Sequence, residues 1–358
     1  MAEATDTFPR IHGDTLKQYV IDVFTSFGMR QWDAEISADI LVESDLRGID
    51  SHGVPRMTFY AQKLRGGIIN LSAELKVVRE TAATITYDAD NGFGPPMAYL
   101  AMQGCIAKAK QAGVCLATVG HSNHYGIAGY YAAMALQHPG LAGISMTNAS
   151  ALLVPTFGKI AKLSTAPIAA AFPAGVEAPF ILDGATTAVA WGKVEIARRS
   201  NSPIPVGWAV DDEGQSVTDP WAATGLQPLG GERVTSGQKG YGLALLVEVL
   251  CSQLSGSLWS RDVHYTRGPA QPSDTSHAFI AIDINAFRPL AEYNASMDEM
   301  LGDLRGMEPA AGHARVYVPG DPEALAYADR VERGVPVHPV VVEELRALAT
   351  ERGLRAPF

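Results

Sequence analysis

The feature that most constrains the fold is an alternation of two periodicities along the chain. Short apolar runs at 84–87 (TITY), 114–119, 141–146 and 278–284 (AFIAIDI) have the length and composition of strands. Around them lie segments whose apolar residues recur at helical spacing. Within 14–47, Leu16, Tyr19, Val20, Val23 and Phe24 share one face, Ile36, Ile40, Leu41 and Leu46 share another, and Gly28 marks the break. Further helices are expected over 58–66 (ended by Gly66-Gly67), 95–113, 125–137, 241–254, 291–306 and 340–353. Strands interleaved with helices imply an α/β or mixed α+β architecture. The 35 glycines and 22 prolines are spread through the chain, so short connections are expected. The region 150–235 reads as short apolar runs cut by Pro and Gly, and no solenoid-type repeat or low-complexity tract is present.

Composition removes several classes of function. The 358 residues suggest about two domains at roughly 150 residues each. An apolar content of 47% against 18% charged is the opposite of a disordered chain. No run of about 18 uncharged apolar residues exists, so no transmembrane helix and no membrane partner are expected. A net charge of −10 argues against a dedicated nucleic-acid binder. Cys105, Cys115 and Cys251 have neither zinc-knuckle nor CxxC spacing, and an odd count argues against a disulfide framework. Cys105 and Cys115 lie among apolar residues, as buried inert thiols do. The polar start MAEATDTFPRIHGDT lacks a signal-peptide apolar core, so a cytoplasmic enzyme acting on a small molecule is the expectation.

The familiar nucleotide fingerprints are missing. No GxGxxG follows an early strand, no GxxxxGK[ST] occurs, and neither HExxH nor GxSxG appears. Five other clusters carry chemistry or turns. The first is Asp50-Ser51-His52-Gly53-Val54-Pro55-Arg56: His52 can move a proton near neutral pH, Arg56 can hold a carboxylate by two parallel hydrogen bonds, and Ser51 adds a hydroxyl. The alternative is a helix cap with a solvated His and Arg. The second is His121-Ser122-Asn123-His124-Tyr125-Gly126, after a strand, where a functional loop is common. Its two histidines have the spacing of a metal pair but no third ligand stands nearby, so a polar pocket wall or a plain strand-to-helix turn is expected, with no metal. In the third, Asp183 ends an apolar run before Gly184-Ala185 and either accepts from a ligand, orients a histidine or caps a helix. The fourth, 228–242, places glycines with Gln238 and Lys239 before an apolar helix, the pattern of an anion-binding terminus or of a flexible loop. The fifth, Val318-Pro319-Gly320-Asp321-Pro322, is a turn without chemistry of its own.

In this order, the strings SHGVPR (51–56), SNHYGIAGYY (122–131), DGATTAVAWGK (183–193), IPVGWAVDDEGQSVTDP (204–220), PLGG (228–231) and QKGYGLALLVEVL (238–250) resemble the malate/L-lactate dehydrogenase family of the non-Rossmann type. That family includes ureidoglycolate and sulfolactate dehydrogenases, diketogulonate reductases and piperideine/pyrroline-2-carboxylate reductases. The likeness runs from about residue 14 to 352. It implies a family-specific mixed sheet with a helical N-terminal region, an NADH- or NADPH-dependent reaction on a small 2-oxo, 2-hydroxy or cyclic 2-imino acid, and a homodimer. It also implies three parts: a helical substrate and dimerisation region over 1–125, a nucleotide-binding domain over 126–304, and a C-terminal segment, 305–358, packed back on the first.

Carried over position by position, the resemblance makes His52 the general acid/base, with Ser51, Arg56 and Asp183 beside it and His124 as a second active-site histidine. Arg56, Tyr60 and Asn148 become substrate contacts. His124, Asn148, Thr165, the run Pro179, Ile181, Leu182, Asp183, Gly184 and Ala185, the pair Gln238 and Lys239, and the turn Gly320, Asp321 and Pro322 become cofactor contacts. Lys193, Arg198 and Arg199 are the basic groups to be placed against a 2′-phosphate. One departure stands out. A Gly-Thr-Asn-Pro string common in the family is Ser164-Thr165-Ala166-Pro167 here, which deletes a side-chain amide at Ala166 and leaves a non-catalytic nucleotide binder as the rival expectation.

Overall fold

A computed structural model describes residues 7–264 and 271–358; the first six residues of the polar N-terminal stretch lie outside them. In chain order the elements are β1 (Arg10–Ile11), α1 (Gly13–Ser26), α2 (Gln31–Leu46), α3 (Met57–Arg65), β2 (Lys76–Glu80), β3 (Thr84–Asp88), α4 (Gly94–Ala112), β4 (Val114–Ser122), α5 (Ala128–Met134), β5 (Leu141–Thr147), β6 (Ile168–Phe172), β7 (Phe180–Gly184), α6 (Trp191–Ser200), β8 (Ala209–Val210), β9 (Ser216–Val217), β10 (Gly225–Leu226), α7 (Gly237–Glu248), β11 (Thr275–Asp283), α8 (Leu290–Gly306), α9 (Asp321–Arg333), β12 (Val335–Pro336) and α10 (Pro339–Glu351).

The main sheet runs β2-β3-β4-β11-β5-β6-β7. Only β3 and β4 are parallel neighbours; the other pairs are antiparallel, so the sheet is mixed. The last of these strands in sequence, β11, lies in the middle. Its composition explains the position, because alternate side chains must face two cores. Phe279 and Ala281 pack with Cys105, Ala109, Tyr131 and Ala132 of α4 and α5. Ala278 and Ile280 pack on the other face with Ala244, Val247 and Cys251, on and just beyond α7. All three cysteines are buried and free.

A second core joins the two ends of the chain. Leu16, Val20 and Phe24 of α1, Leu41 of α2 and Met57 and Tyr60 of α3 pack with Val342, Leu345 and Leu348 of α10. β1 pairs with β12, sealing the same region. A smaller cluster holds α6 against the three-stranded sheet β10-β8-β9 through Val194, Ala197, Ala209 and Leu226.

Several expectations are corrected. The helix expected from 125 begins at Ala128, because His124–Ile127 is spent as extended chain and turn. α7 begins at Gly237, earlier than its apolar run, and widens into a π-turn over Val249–Gln253. The turn at 318–322 opens a whole helix, α9, and α6 arises inside the stretch read as short runs. The main sheet takes strands from both sides of residue 125, with β4 between β3 and β11.

Candidate active site

The loop after α2 is shaped by a carboxylate beneath it. Residues Asp50–His52 and Val54–Arg56 form two tight turns joined at Gly53. Asp45, buried near the end of α2, accepts from Val54 N at 2.8 Å. A Cβ on Gly53 would lie 1.8 Å from Asp45 Oδ1, so only glycine permits this approach. Burial, reinforced by Asp50, pushes the Asp45 carboxyl well up despite Val54 N–H and Arg330. Above this base, Ser51 Oγ lies 2.8 Å from His52 Nδ1, and Arg56 Nε donates to Ser51 O at 2.6 Å.

The loop after β4 brings the second histidine to the first. The rings of His52 and His124 stack with centroids 5.6 Å apart and planes 21° apart. Tyr60 OH meets His124 Nδ1 at 2.7 Å. Tyr60 is itself set by edge contacts to Phe24 and Phe93 in the second core. Loss of water and the Arg56 charge lower His52 to about 3. Burial, His52, Arg56, His277 and Lys63 hold His124 well below the ordinary histidine range. Both imidazoles are therefore neutral at pH 7.

Lys63 was missed by sequence reasoning. It is 7% exposed, donates to Ser273 Oγ, and lies over the Phe59 ring at 5.3 Å. Burial lowers it to about 8. The signal was present, because Lys63 follows Tyr60 by three residues on α3 and shares its side of the helix. The result is a cluster of two imidazoles, a phenol and two basic side chains.

A second group of predicted residues assembles at the edge strand β7. Pro179, Ile181, Gly320 and Asp321 line one cleft of about 220 Å³ with Arg47, Ala178, Ala324 and Tyr327. The two segments are stitched by Ile181 N donating to Pro319 O at 3.0 Å. Pro322 lies in the first turn of α9, while the Asp321 carboxylate is engaged by Arg305 at 2.8 Å and by Val318 N at 3.0 Å. Leu182 is partly exposed on β7, and Gly184 ends the strand before Ala185. Gln238 Oε1, in the first turn of α7, is buried with no hydrogen-bond partner among the described residues, and Lys239 beside it is exposed.

Other residues of the expected site are engaged elsewhere in the structure. Asp183 Oδ2 accepts from Gly129 N at 2.7 Å and so caps α5; it makes no hydrogen bond to His52, which is engaged by Ser51 instead. Burial, with Glu323 adding to it, raises Asp183 to about 6. Asn148 is 1% exposed: its Nδ2 donates to Glu248 at 2.8 Å and to Leu258 O, and its Oδ1 accepts from Ser276 N. It ties together the chain around Glu248, Leu258 and Ser276. His121 pairs with Asp274 at 2.9 Å while His124 turns to Tyr60, so the two do not form a pair. Arg198 is spent on Pro220 O and Ala223 O, Lys193 lies over Trp208, and the Arg199 side chain is outside the described residues. At the departure from the common string, Ser164 Oγ accepts from Ala166 N at 3.2 Å, and Thr186 Oγ1 donates to the carbonyls of Thr165 and Ala166. Ala166 is fully buried at φ 38° among apolar side chains, so the altered segment is a satisfied turn.

A mixed sheet with a cluster of histidine, tyrosine and basic side chains on one helical flank is the frame against which relatives are compared, and those relatives are oxidoreductases. The profile of the malate/L-lactate dehydrogenase family matches residues 11–346, and the chain belongs to that family. Among its relatives, malate dehydrogenase of Pyrococcus abyssi is 40% identical over 98% of this chain and 97% of its own. L-sulfolactate dehydrogenase of Methanocaldococcus jannaschii is 37% identical over 94% of this chain and 96% of its own. The solved structure of malate dehydrogenase from Pyrococcus horikoshii superposes with a TM-score of 0.90 at 36% identity, covering 98% of this chain and 97% of that one.

Proposed function

We propose that the protein transfers hydride to or from C2 of a small 2-hydroxy or 2-oxo acid, using NAD(H) or NADP(H), with His52 as the group that takes or gives the proton. The observation that carries this reading is the His52 ring, met by Ser51 Oγ at Nδ1 and stacked on His124, with Arg56 on the carbonyl of Ser51. Arg56 would hold the substrate carboxylate through parallel N–H bonds. Its positive field is one cause of the low basicity of His52, so pairing with a carboxylate raises that basicity once substrate is in place. In oxidation His52 accepts the proton of the C2 hydroxyl; in reduction it returns it to the forming alkoxide. Lys63 adds a second positive group beside His124, which favours a substrate with more than one acidic function.

A nicotinamide nucleotide, when bound, supplies or takes the hydride. The residues present fit such a group. The cleft at β7 and α9 has apolar walls in Pro179, Ile181 and Tyr327 for a flat ring, and Arg47 is its basic member. The orphaned Gln238 Oε1 is an acceptor suited to an amide or hydroxyl of a ligand. A homodimer is supported by Leu243, Leu246 and Val249, which follow one another at helical spacing and stand in solvent. Three buried free thiols support a reducing compartment, the cytoplasm.

The test is oxidation of NADH and of NADPH, separately, with 2-oxo acids and with cyclic 2-imino acids. Turnover with an oxo acid is expected, and His52→Gln should lower kcat/KM by roughly 10²–10⁴-fold without weakening nucleotide binding. A protonated imine draws hydride with less help, so an imino-acid substrate would show a much smaller His52→Gln effect. Nucleotide binding with silence across the panel would sink the catalytic reading.

A further inference from the structure

Helix α9 reaches both parts of the proposed site. At its start, Gly320, Asp321 and Ala324 line the cleft, and Arg305 pins Asp321 while also holding Glu177 at 2.7 Å. Near its end, Arg330 reaches the loop that precedes His52. One guanidinium nitrogen, Nη1, donates both to the carbonyl oxygen of Asp45 and to Asp50 Oδ1; the other, Nη2, donates to Asp50 Oδ2 at 3.3 Å. The Arg330 side chain is 11% exposed and its partner Asp50 47%. Gly48, at φ 79°, brings the chain close to the same helix, where an added Cβ would stand 3.2 Å from Ala326 Cβ.

These contacts fix both ends of a short span. Asp45 is the residue whose carboxylate supports Val54 N beneath the loop, and Asp50 opens the turn Asp50–His52. Nη1 bridges the carbonyl and the carboxylate, and Nη2 adds a second bond to the same carboxylate, so the planar fork fixes the orientation of Asp50 as well as its distance. A lysine ammonium has no second, rigidly placed nitrogen to fix that orientation.

We infer that Arg330 is a positioning residue for His52: by clamping Asp50 to the end of α2 it holds the turn that presents the imidazole to substrate. Arg330 itself touches no reacting atom. The inference rests on the reading of His52 given above.

The experiment measures kcat, KM for the acid substrate and nucleotide affinity in Arg330→Gln, Arg330→Lys and Asp50→Asn, each alone and combined with His52→Ala. Arg330→Gln is expected to lower kcat by roughly 10–100-fold, the scale of a misplacement of about 1 Å, with nucleotide affinity held within about threefold. Arg330→Lys should recover part of the loss and Asp50→Asn should reproduce most of it. In the His52→Ala background, Arg330→Gln should add less than about twofold, because the group it positions is already gone. A kcat for Arg330→Gln within about twofold of the parent overturns the inference alone, and so does a loss that persists undiminished without His52. Full turnover in His52→Ala overturns the underlying reading and the inference with it. If Arg330→Gln does not fold, Asp50→Asn carries the same comparison.

Discussion

Asp183 is exposed on the edge strand β7, with its carboxylate turned onto Gly129 N. Loss of water around that carboxylate raises its folded-state pKa to about 6 from the ordinary 3.8. A folded pKa above the unfolded one favours the protonated form, so the contribution to stability is fully present below pH 3.8 and is lost as pH rises through about 6. Asp183→Asn keeps an acceptor oxygen for Gly129 N and removes the charge. Its melting temperature should exceed the parent's near pH 8, with the gap closing by about pH 4; an equal gap at both would refute the account. Residue identity was legible at this position and its partner was not. The sequence left open whether Asp183 capped a helix or oriented a histidine, and the strand pairing of β6 with β7 decided for the N-terminus of α5.

At the scale of elements, the helices with an apolar stripe declared themselves, α1, α4 and α10 among them. α9 did not, although Asp321-Pro322-Glu323 is a helix-start pattern, because nothing in α9 is buried and its amphipathic face leans on neighbours distant in sequence. The loop 50–56 was recognised by its chemistry, yet its shape comes from Asp45 in the preceding helix. Gly53→Ala should therefore destabilise the protein by at least about 3 kcal/mol in urea unfolding, since neither the Asp45 carboxylate nor the Val54 N–H that it satisfies can withdraw without leaving a buried polar group unmet. A midpoint unchanged from the parent would show that the loop can be rebuilt without Asp45.

For the molecule as a whole, the exposed leucines of α7 make a prediction about assembly. Leu243→Glu with Leu246→Glu should convert a dimer seen in sedimentation velocity into a monomer while leaving the helix content intact. A parent that sediments as a monomer would remove the homodimer from the proposal. The net charge of −10 around the proposed site, which holds Arg56 and Lys63, also implies that anionic acids are repelled by the surface and held only at the site, so KM should fall with added salt at low ionic strength.

By itself the sequence determined the class of fold, the buried thiols, the polar loop that carries His52 and the segments that meet at the β7 cleft. Those follow from local patterns: period in the apolar residues, and polar groups crowded within a few positions. Tertiary structure alone decided that β11 sits at the centre of the sheet, that Lys63 and Tyr60 join His124, that Asn148 is a buried tie, and that Arg330 reaches back across 280 residues of chain to Asp50. Each of these is a contact between segments remote in sequence. Whether it forms depends on strand order and on which helix face is buried, and no short stretch of residues contains that information.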